Sequence, residues 1–133
     1  MFRMQLYQEP GFSTIDVDFP DEPAPRRWLL GMLLLDMWNQ EDFYLSEIAR
    51  AEAGETILEL YNNLIDMQIY PDGRVIVEEL HYTEQDRIDN GEPAHTELTL
   101  AEAKQLILDW LDAKTKWQAE HGPLNEGTVT DSR

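Results

Sequence analysis

The chain has 133 residues, and its 27 acidic and 10 basic side chains give a formal net charge of −17. Because it contains no cysteine, disulfide bonds, thiolate zinc sites and cysteine nucleophiles are excluded. The length fits a single domain, which we assign to residues 1–122, with a polar tail at 123–133. The start has no long apolar segment typical of a secretory signal, and the lack of cysteine suits a reducing compartment, so a cytoplasmic protein is expected.

The first predicted elements are a strand and one or two helices. Apolar and polar residues alternate over 13–19, as in a half-buried strand, and three prolines within 20–25 then break regular structure. The apolar run over 28–38 is too short for a membrane span, which needs about 20 residues, and it predicts a buried helix. Asn39 is expected to cap a second helix, which ends near Gly54.

Residues 57–82 are predicted to form β structure. Asn62-Asn63 indicates a turn or bulge, and residues 64–70 alternate before the strong turn signal Pro71-Asp72-Gly73. Residues 74–82 are expected to return as the partner strand of a hairpin.

The C-terminal third is predicted to contain a loop and then a long helix. Residues 83–97 are polar and hold turn-forming residues, so a mobile loop is expected. Thr99 and Glu102 have capping-box spacing, and apolar residues recur at three- and four-residue steps to about Glu120, as in an amphipathic helix. The tryptophans expected in the core are Trp28, Trp38, Trp110 and Trp117.

Together these elements predict an α+β fold. An antiparallel meander sheet of about three to four strands is expected to pack against N-terminal helices and a C-terminal helix.

No pattern in the sequence predicts catalysis. His81, His95 and His121 are not spaced as a helical metal-binding pair, and a histidine at a helix end has a sufficient explanation in the helix dipole. Residues 86–92 supply oxygen donors and a glycine but lack the order of a calcium loop. We therefore expect neither an enzyme nor a bound cofactor or metal.

The charge favours a protein partner. A strongly acidic chain repels nucleic acid and anionic membranes, so neither is expected as a partner. A basic protein surface is attracted to it and associates quickly at low salt. The alternative is that the acidity serves only solubility.

The hairpin gives this charge a location. A three-residue loop at 71–73 places Tyr70 opposite Arg74 and Asp66 opposite Glu78. Carboxylates opposed across a ladder repel by a few tenths to about 1 kcal/mol, which a partner's lysine or arginine would relieve. Screening by water and salt, or a bulge that shifts the register, are the alternatives. Tyrosines on a sheet face are common at interfaces, and the partner-binding surface that we hypothesise contains Asp66, Glu78, Glu79, Glu84, Asp86 and Tyr70.

The order of elements also resembles a known family. A tryptophan-led apolar helix begins at Trp28-Leu29-Leu30-Gly31, a strand contains Tyr61-Asn62-Asn63, and a hairpin covers 69–77. Leu98-Thr99-Leu100-Ala101-Glu102 then opens a helix that carries Leu108-Asp109-Trp110. Over residues 26–117 this layout resembles the small acidic immunity proteins of bacterial polymorphic toxin systems, including contact-dependent growth inhibition. The resemblance implies a cytoplasmic inhibitor that binds the C-terminal domain of a cognate toxin, often a basic nuclease, and occludes its active site.

Three alternatives compete with this interpretation. The first is another acidic binding protein, such as a nucleic-acid mimic or a specific chaperone; a mimic would bind many nucleic-acid-binding proteins, whereas an immunity protein binds one. The second is a metal-assisted hydrolase that uses carboxylates around residues 86–92, which calcium, magnesium or manganese would stabilise. The third is a structural subunit of a larger assembly.

Overall fold

The structure is a computed structural model that describes residues 3–9, 12–54 and 58–121, and side chains within 16–54 and 59–120. Its elements are β1 (Arg3–Glu9), β2 (Phe12–Asp18), α1 (Arg26–Asp36), α2 (Glu41–Glu52), β3 (Leu58–Tyr61), β4 (Ile65–Ile69), β5 (Arg74–Glu79), α3 (Glu84–Asn90), β6 (His95–Thr99) and α4 (Leu100–His121). The predicted α+β class is confirmed. The predicted tail at 123–133 lies outside the described residues.

The N-terminal hairpin contains one predicted strand and one that was not predicted. The strand expected over 13–19 is β2, and Val17 within it and Phe19 just after it are buried. It pairs antiparallel with β1, from Arg3 opposite Asp18 to Glu9 opposite Phe12. The hairpin packs against α1 at Gly31, where an added Cβ would lie 2.5 Å from the carbonyl oxygen of Val17. Glycine at this position therefore permits the close approach of strand and helix.

Two separate helices follow, which settles the choice between one kinked helix and two. The prediction that Asn39 caps the second helix is wrong, because Gln40 occupies the N-cap position and makes no side-chain cap hydrogen bond. Asn39 instead takes a positive φ of 64°, a conformation that asparagine tolerates better than most residues. Asn39 thus lies in the turn that separates α1 from α2. Gly54, with a φ of 86°, follows the C-cap residue Ala53 of α2, so the predicted helix end near Gly54 is confirmed.

The main sheet is a four-stranded antiparallel meander in the order β3-β4-β5-β6, as predicted. Residues 62–64 turn between β3 and β4, so the turn interpretation of Asn62-Asn63 is confirmed. In the next hairpin the Tyr70 N–H donates to the Arg74 carbonyl, and Gly73 has a φ of 92°. This is the three-residue loop that the sequence predicted.

The prediction of a loop over 83–97 is wrong, because this segment contains α3 and the first part of β6. The Thr83 hydroxyl accepts from the Asp86 N–H while the Asp86 carboxylate accepts from the Thr83 N–H, a capping box that supports a short helix. After it, β6 pairs with β5 and buries Leu98. The polar composition indicated a loop. Instead, the capping box supports α3, and pairing with the edge of β5 forms β6.

The core lies between one face of the main sheet and helices α1, α2 and α4. The capping box of Thr99 and Glu102 opens α4 as predicted. Trp38 and Trp110 are core residues in an edge-to-face contact with ring centroids 5.8 Å apart. The prediction for Trp28 is wrong, since it is 38% exposed, and Trp117 is only partly buried. In the described part of the chain, no helix combines the length and apolarity needed to cross a membrane.

Candidate functional site

One face of the main sheet is packed on helices and the other is not. Alternation along β4 and β5 sends Ile65, Met67 and Ile69, with Val75 and Val77, into the core. The opposite face, which we call the outer face, carries Glu59, Tyr61, Asp66, Gln68, Tyr70, Arg74, Ile76, Glu78, His95, Glu97 and Thr99. Most of these side chains are exposed or half-buried. The outer face is therefore the broad sheet surface on which another molecule can dock.

The predicted opposition of two carboxylates is confirmed. Asp66 on β4 is the direct cross-strand partner of Glu78 on β5, and the same ladder pairs Ile65 with Glu79. No bulge shifts the register. On the far side of β4, Tyr61 is the partner of Asp66, and on the far side of β5, His95 is the partner of Glu78. One row of neighbouring positions across the outer face thus contains Tyr61, Asp66, Glu78 and His95.

Asp66 is far more buried than an outer-face position suggests. It is 5% exposed, and its position lies between the strands that carry Tyr61 and Glu78. Its Oδ2 accepts a hydrogen bond from Gln68 Nε2 at 2.9 Å, and the Tyr70 hydroxyl donates to Gln68 Oε1 at 2.9 Å. Among the described residues, no donor reaches Asp66 Oδ1. Gln68 therefore holds this carboxylate in place on the outer face.

Glu59 on β3 brings a third carboxylate to the same place. The charge of Asp66 and a hydrogen bond to it raise the pKa of Glu59, with smaller contributions from burial and from Glu78. Glu78 itself forms no ion pair within the described chain. We call Glu59, Asp66 and Glu78 the carboxylate cluster. Like charges held this close favour a bound proton or an incoming cation.

The other predicted members of the surface have different surroundings. Tyr70 lies on the outer face beside the cluster, with the Arg74 guanidinium 4.7 Å from its ring centroid. Glu79 belongs to the opposite face of β5, and its Oε2 accepts from the Ala94 N–H at 3.0 Å. The structure therefore brings Asp66, Glu78 and Tyr70 together but places Glu79 elsewhere.

Glu84 and Asp86 lie in the first turn of α3. Glu84 is exposed, whereas the Asp86 carboxylate accepts from the Thr83 N–H at 2.9 Å. That backbone hydrogen bond lowers the pKa of Asp86. Asp86 thus has a structural task as a helix cap, and neither residue belongs to the carboxylate cluster.

The acidic segment 86–92, which the hydrolase alternative invokes, is occupied by local contacts. Asp89 accepts from Gln85 Nε2 at 3.0 Å, and Glu92 pairs with Arg87. Within the ranges that the structure describes, no three histidine or acidic side chains are grouped to hold a metal ion.

Sequence reasoning missed the burial of two carboxylates outside the outer face, Asp36 and Glu41, and both are structural. The Asp36 carboxylate at the end of α1 accepts backbone N–H bonds from Asn63, Leu64 and Ile65, all between 3.1 and 3.2 Å. It thereby holds the turn between β3 and β4, and its signal was an acid interrupting the apolar run over 28–38. A buried carboxylate must find donors, and the turn supplies them.

The second buried charge is Glu41, which joins α2 to α4. Its Oε2 lies 2.6 Å from Lys114 Nζ and 2.8 Å from Trp110 Nε1. Lys114 Nζ also lies 4.6 Å from the ring centroid of Trp38. All four residues are less than 8% exposed, so this ion pair belongs to the core and is not available to a ligand.

A cleft of about 250 Å³ opens between α1, β6 and α4. Its lining includes Phe19, Leu30 and Leu98. The cation within it, Arg26, is already bound by Glu22 at 2.8 Å and by the Glu97 carbonyl at 2.8 Å. The cleft is smaller than typical small-molecule sites of about 300–1,000 Å³, and the one basic side chain in its lining is already paired.

The fold defines the class of this chain as an α+β protein with one open sheet face. Comparison of the chain with protein-family models, with curated proteins and with solved structures found no match.

Proposed function

We propose that the chain is an immunity-type inhibitor, which acts in the cytoplasm by binding the basic surface of one cognate toxin domain. The outer face of the main sheet is the contact surface in this proposal, and it covers the active site of the toxin. Support for the inhibitor class comes from the resemblance over residues 26–117 and from the net charge of −17.

The location rests on one observation. Asp66 and Glu78 stand opposed on the outer face beside Glu59, and no cation of the described chain is paired with any of the three. Other carboxylates have partners that folding explains, such as Asp18 with Arg27 at 2.7 Å. Opposed carboxylates lower the stability of the fold. A cation supplied by a partner offsets this repulsion, which explains why the two acids are opposed.

The partner that fits this surface is basic. Nuclease domains present cationic clefts to the phosphates of their substrates, and an acidic face competes for those clefts. Complementary charge speeds association and rejects wrong partners, since like charges at an interface cost several kcal/mol. The proposal therefore accounts for affinity toward one toxin without any catalytic group in the inhibitor.

If a neighbouring gene encodes a toxin, the test is binding to the C-terminal domain of that toxin, measured by calorimetry. Charge reversal in Glu59→Lys/Glu78→Lys should weaken binding by about 100-fold or more, from several kcal/mol of introduced repulsion. The same variant should lose its ability to restore growth to cells that express the toxin domain. Its melting temperature should not fall, because the substitutions relieve repulsion within the sheet.

The matched control is Asp21→Lys/Glu120→Lys, which changes the net charge by the same amount at exposed positions away from the outer face. It should weaken binding only slightly and mostly at low salt. Equal losses in both variants would reduce the effect to net charge, and an unchanged affinity of the first variant would refute the proposed surface. Binding to several unrelated nucleases would favour the nucleic-acid mimic instead.

A further inference from the structure

Asp66 is an enclosed carboxyl group that one neighbour holds from one side. It is 5% exposed, and Gln68 Nε2 donates to its Oδ2. The Tyr70 hydroxyl donates to Gln68 Oε1, which fixes the orientation of the Gln68 amide with its nitrogen toward Asp66. With every carboxyl group ionised, the buried Asp66 Oδ1 has no donor among the described residues. A donor for this oxygen must therefore come from a neighbouring group that carries a proton.

Glu59 is the neighbour that can carry this proton. On β3 it is the cross-strand partner of Gln68, whereas Tyr61 is the partner of Asp66. Glu59 and Asp66 are thus diagonal neighbours on the outer face, at a separation that long side chains can bridge. The two side chains form a hydrogen bond. Two ionised carboxylates only accept hydrogen bonds, so this bond requires a proton on one of them.

We propose that Glu59 and Asp66 share one proton in the folded chain, and that this proton stabilises the pairing of the edge strand β3 with β4. The protonated Glu59 carboxyl donates to Asp66, while Gln68 stabilises the negative charge that the pair retains. Within the described residues β3 has a sheet neighbour on one side only, and it has four residues. Because Glu59 is exposed, its proton exchanges with solvent and the bond responds to pH. The inference concerns the chain without a partner and does not rest on the proposed function.

The charges around the pair favour the bound proton. Glu78, the cross-strand partner of Asp66, contributes to the raised pKa of Glu59, after the charge of Asp66, the hydrogen bond to it and burial. The other titratable or charged groups around the pair are Tyr61 on β3, Tyr70 after β4, Arg74 on β5, His95 and Glu97 on β6 and, from the inner side of the sheet, Tyr44 of α2 with Asp36 of α1. The Arg74 guanidinium is bound by Asp72 at 2.9 Å. Negative charge therefore dominates at the pair, which favours its protonated state.

The raised pKa of Glu59 sets the direction of the pH dependence. The folded chain holds this proton more tightly than the unfolded chain, in which the pKa of Glu59 has its ordinary value of 4.5. The stabilisation that the shared proton supplies is therefore complete below about pH 4.5 and is lost as pH rises through the raised pKa. Above that range the outer face has one more negative charge, and the bond between Glu59 and Asp66 is broken.

The first measurement is a pH titration of the full chain by carbon-detected NMR, which follows each side-chain carboxyl. The pKa of Glu59 should lie above its ordinary value, and the Asp66 signal should move in the same step because the proton belongs to the pair. Asp66→Asn should return the pKa of Glu59 most of the way to its ordinary value, and Glu78→Gln should lower it by less. The matched control Glu97→Gln removes a carboxylate from β6 on the same face and should leave the Glu59 titration unchanged.

The second measurement is urea unfolding of the native chain and of Glu59→Gln between about pH 4 and 8. An amide at this position can donate to Asp66 at every pH and carries no charge, so it imitates the protonated carboxyl. The two chains should be equally stable near pH 4, and Glu59→Gln should become the more stable one as pH rises. The ratio of their unfolding equilibrium constants should change by up to about tenfold per pH unit, the limit for one proton. Amide protection along β3 should fall over the same range in the native chain alone.

Each measurement has a result that would overturn the proposal. A Glu59 titration that does not respond to Asp66→Asn would show that the two groups share no proton. A stability difference between the native chain and Glu59→Gln that does not change with pH would show that no proton supports β3. Equal effects of Glu97→Gln would reduce the observation to net charge. Amide spectra report whether each variant is folded, and the Glu59→Gln comparison decides the proposal even if Asp66→Asn unfolds.

Discussion

Substitution of Lys114 by methionine should be among the most damaging single changes in the core. Lys114 Nζ and Glu41 Oε2 lie 2.6 Å apart, and both residues are at most 7% exposed. Methionine keeps most of the stem of the side chain but removes the charge, so Glu41 keeps the hydrogen bond from Trp110 Nε1 and loses its cation. Removing one partner of a buried ion pair costs about 3–5 kcal/mol. At about 2.1 cal/mol/K of unfolding entropy per residue, a chain of this size should lose about 10–18 °C in melting temperature.

The assay is urea unfolding followed by tryptophan fluorescence, with thermal unfolding by circular dichroism alongside it. The matched control is Lys116→Met, which removes an exposed pair with Asp112 on the same helix and should cost at most about 1 kcal/mol. The double variant Glu41→Gln/Lys114→Met should cost less than the sum of its single variants, because it leaves no uncompensated charge. A cost in Lys114→Met no larger than in Lys116→Met, or strict additivity, would refute this reasoning.

Two further predictions concern buried polar groups. Asp36→Asn should cost about 1.5–3 kcal/mol, since it removes the charge that accepts from the N–H groups of Asn63, Leu64 and Ile65; hydrogen exchange at Leu64 and Ile65 should accelerate, and unchanged exchange would contradict the role. Tyr44→Phe should leave stability unchanged or raised by up to about 1 kcal/mol, because the buried hydroxyl has no partner among the described residues. Burial raises the pKa of Tyr44 to about 12, so the native chain should lose stability between about pH 10 and 12 more steeply than the Phe variant does, as followed by unfolding and absorbance at 295 nm.

The features that sequence predicted best are those with local causes. The turn at 71–73 fixes the register of the hairpin by itself, so the partners of Asp66 and Tyr70 followed from counting residues. The capping box of Thr99 and Glu102 likewise depends on residues three apart, which the sequence shows directly. Both predictions needed no knowledge of the rest of the fold.

The features that sequence missed depend on distant neighbours. Strand β1 and helix α3 are short and weakly apolar, and pairing with β2 or a cap at Thr83 decides their structure. Asp66 lies between β3 and β5, and the Asn62-Asn63 signal predicted a turn without fixing the register between β3 and β4. Glu59 and Tyr61 were missed as members of the site for the same reason.

The proposed site shows why net charge alone is a poor guide to function in this chain. Many acids have local partners, including Asp72 with Arg74 and Glu47 with Arg50, both at 2.9 Å, and folding explains them. A protein that relied on its net charge would attract every basic partner, and screening would weaken all of those contacts together. Discrimination needs fixed charges whose desolvation only the right cation repays. Asp66, buried and held by Gln68 opposite Glu78, is the described acid that best meets this requirement.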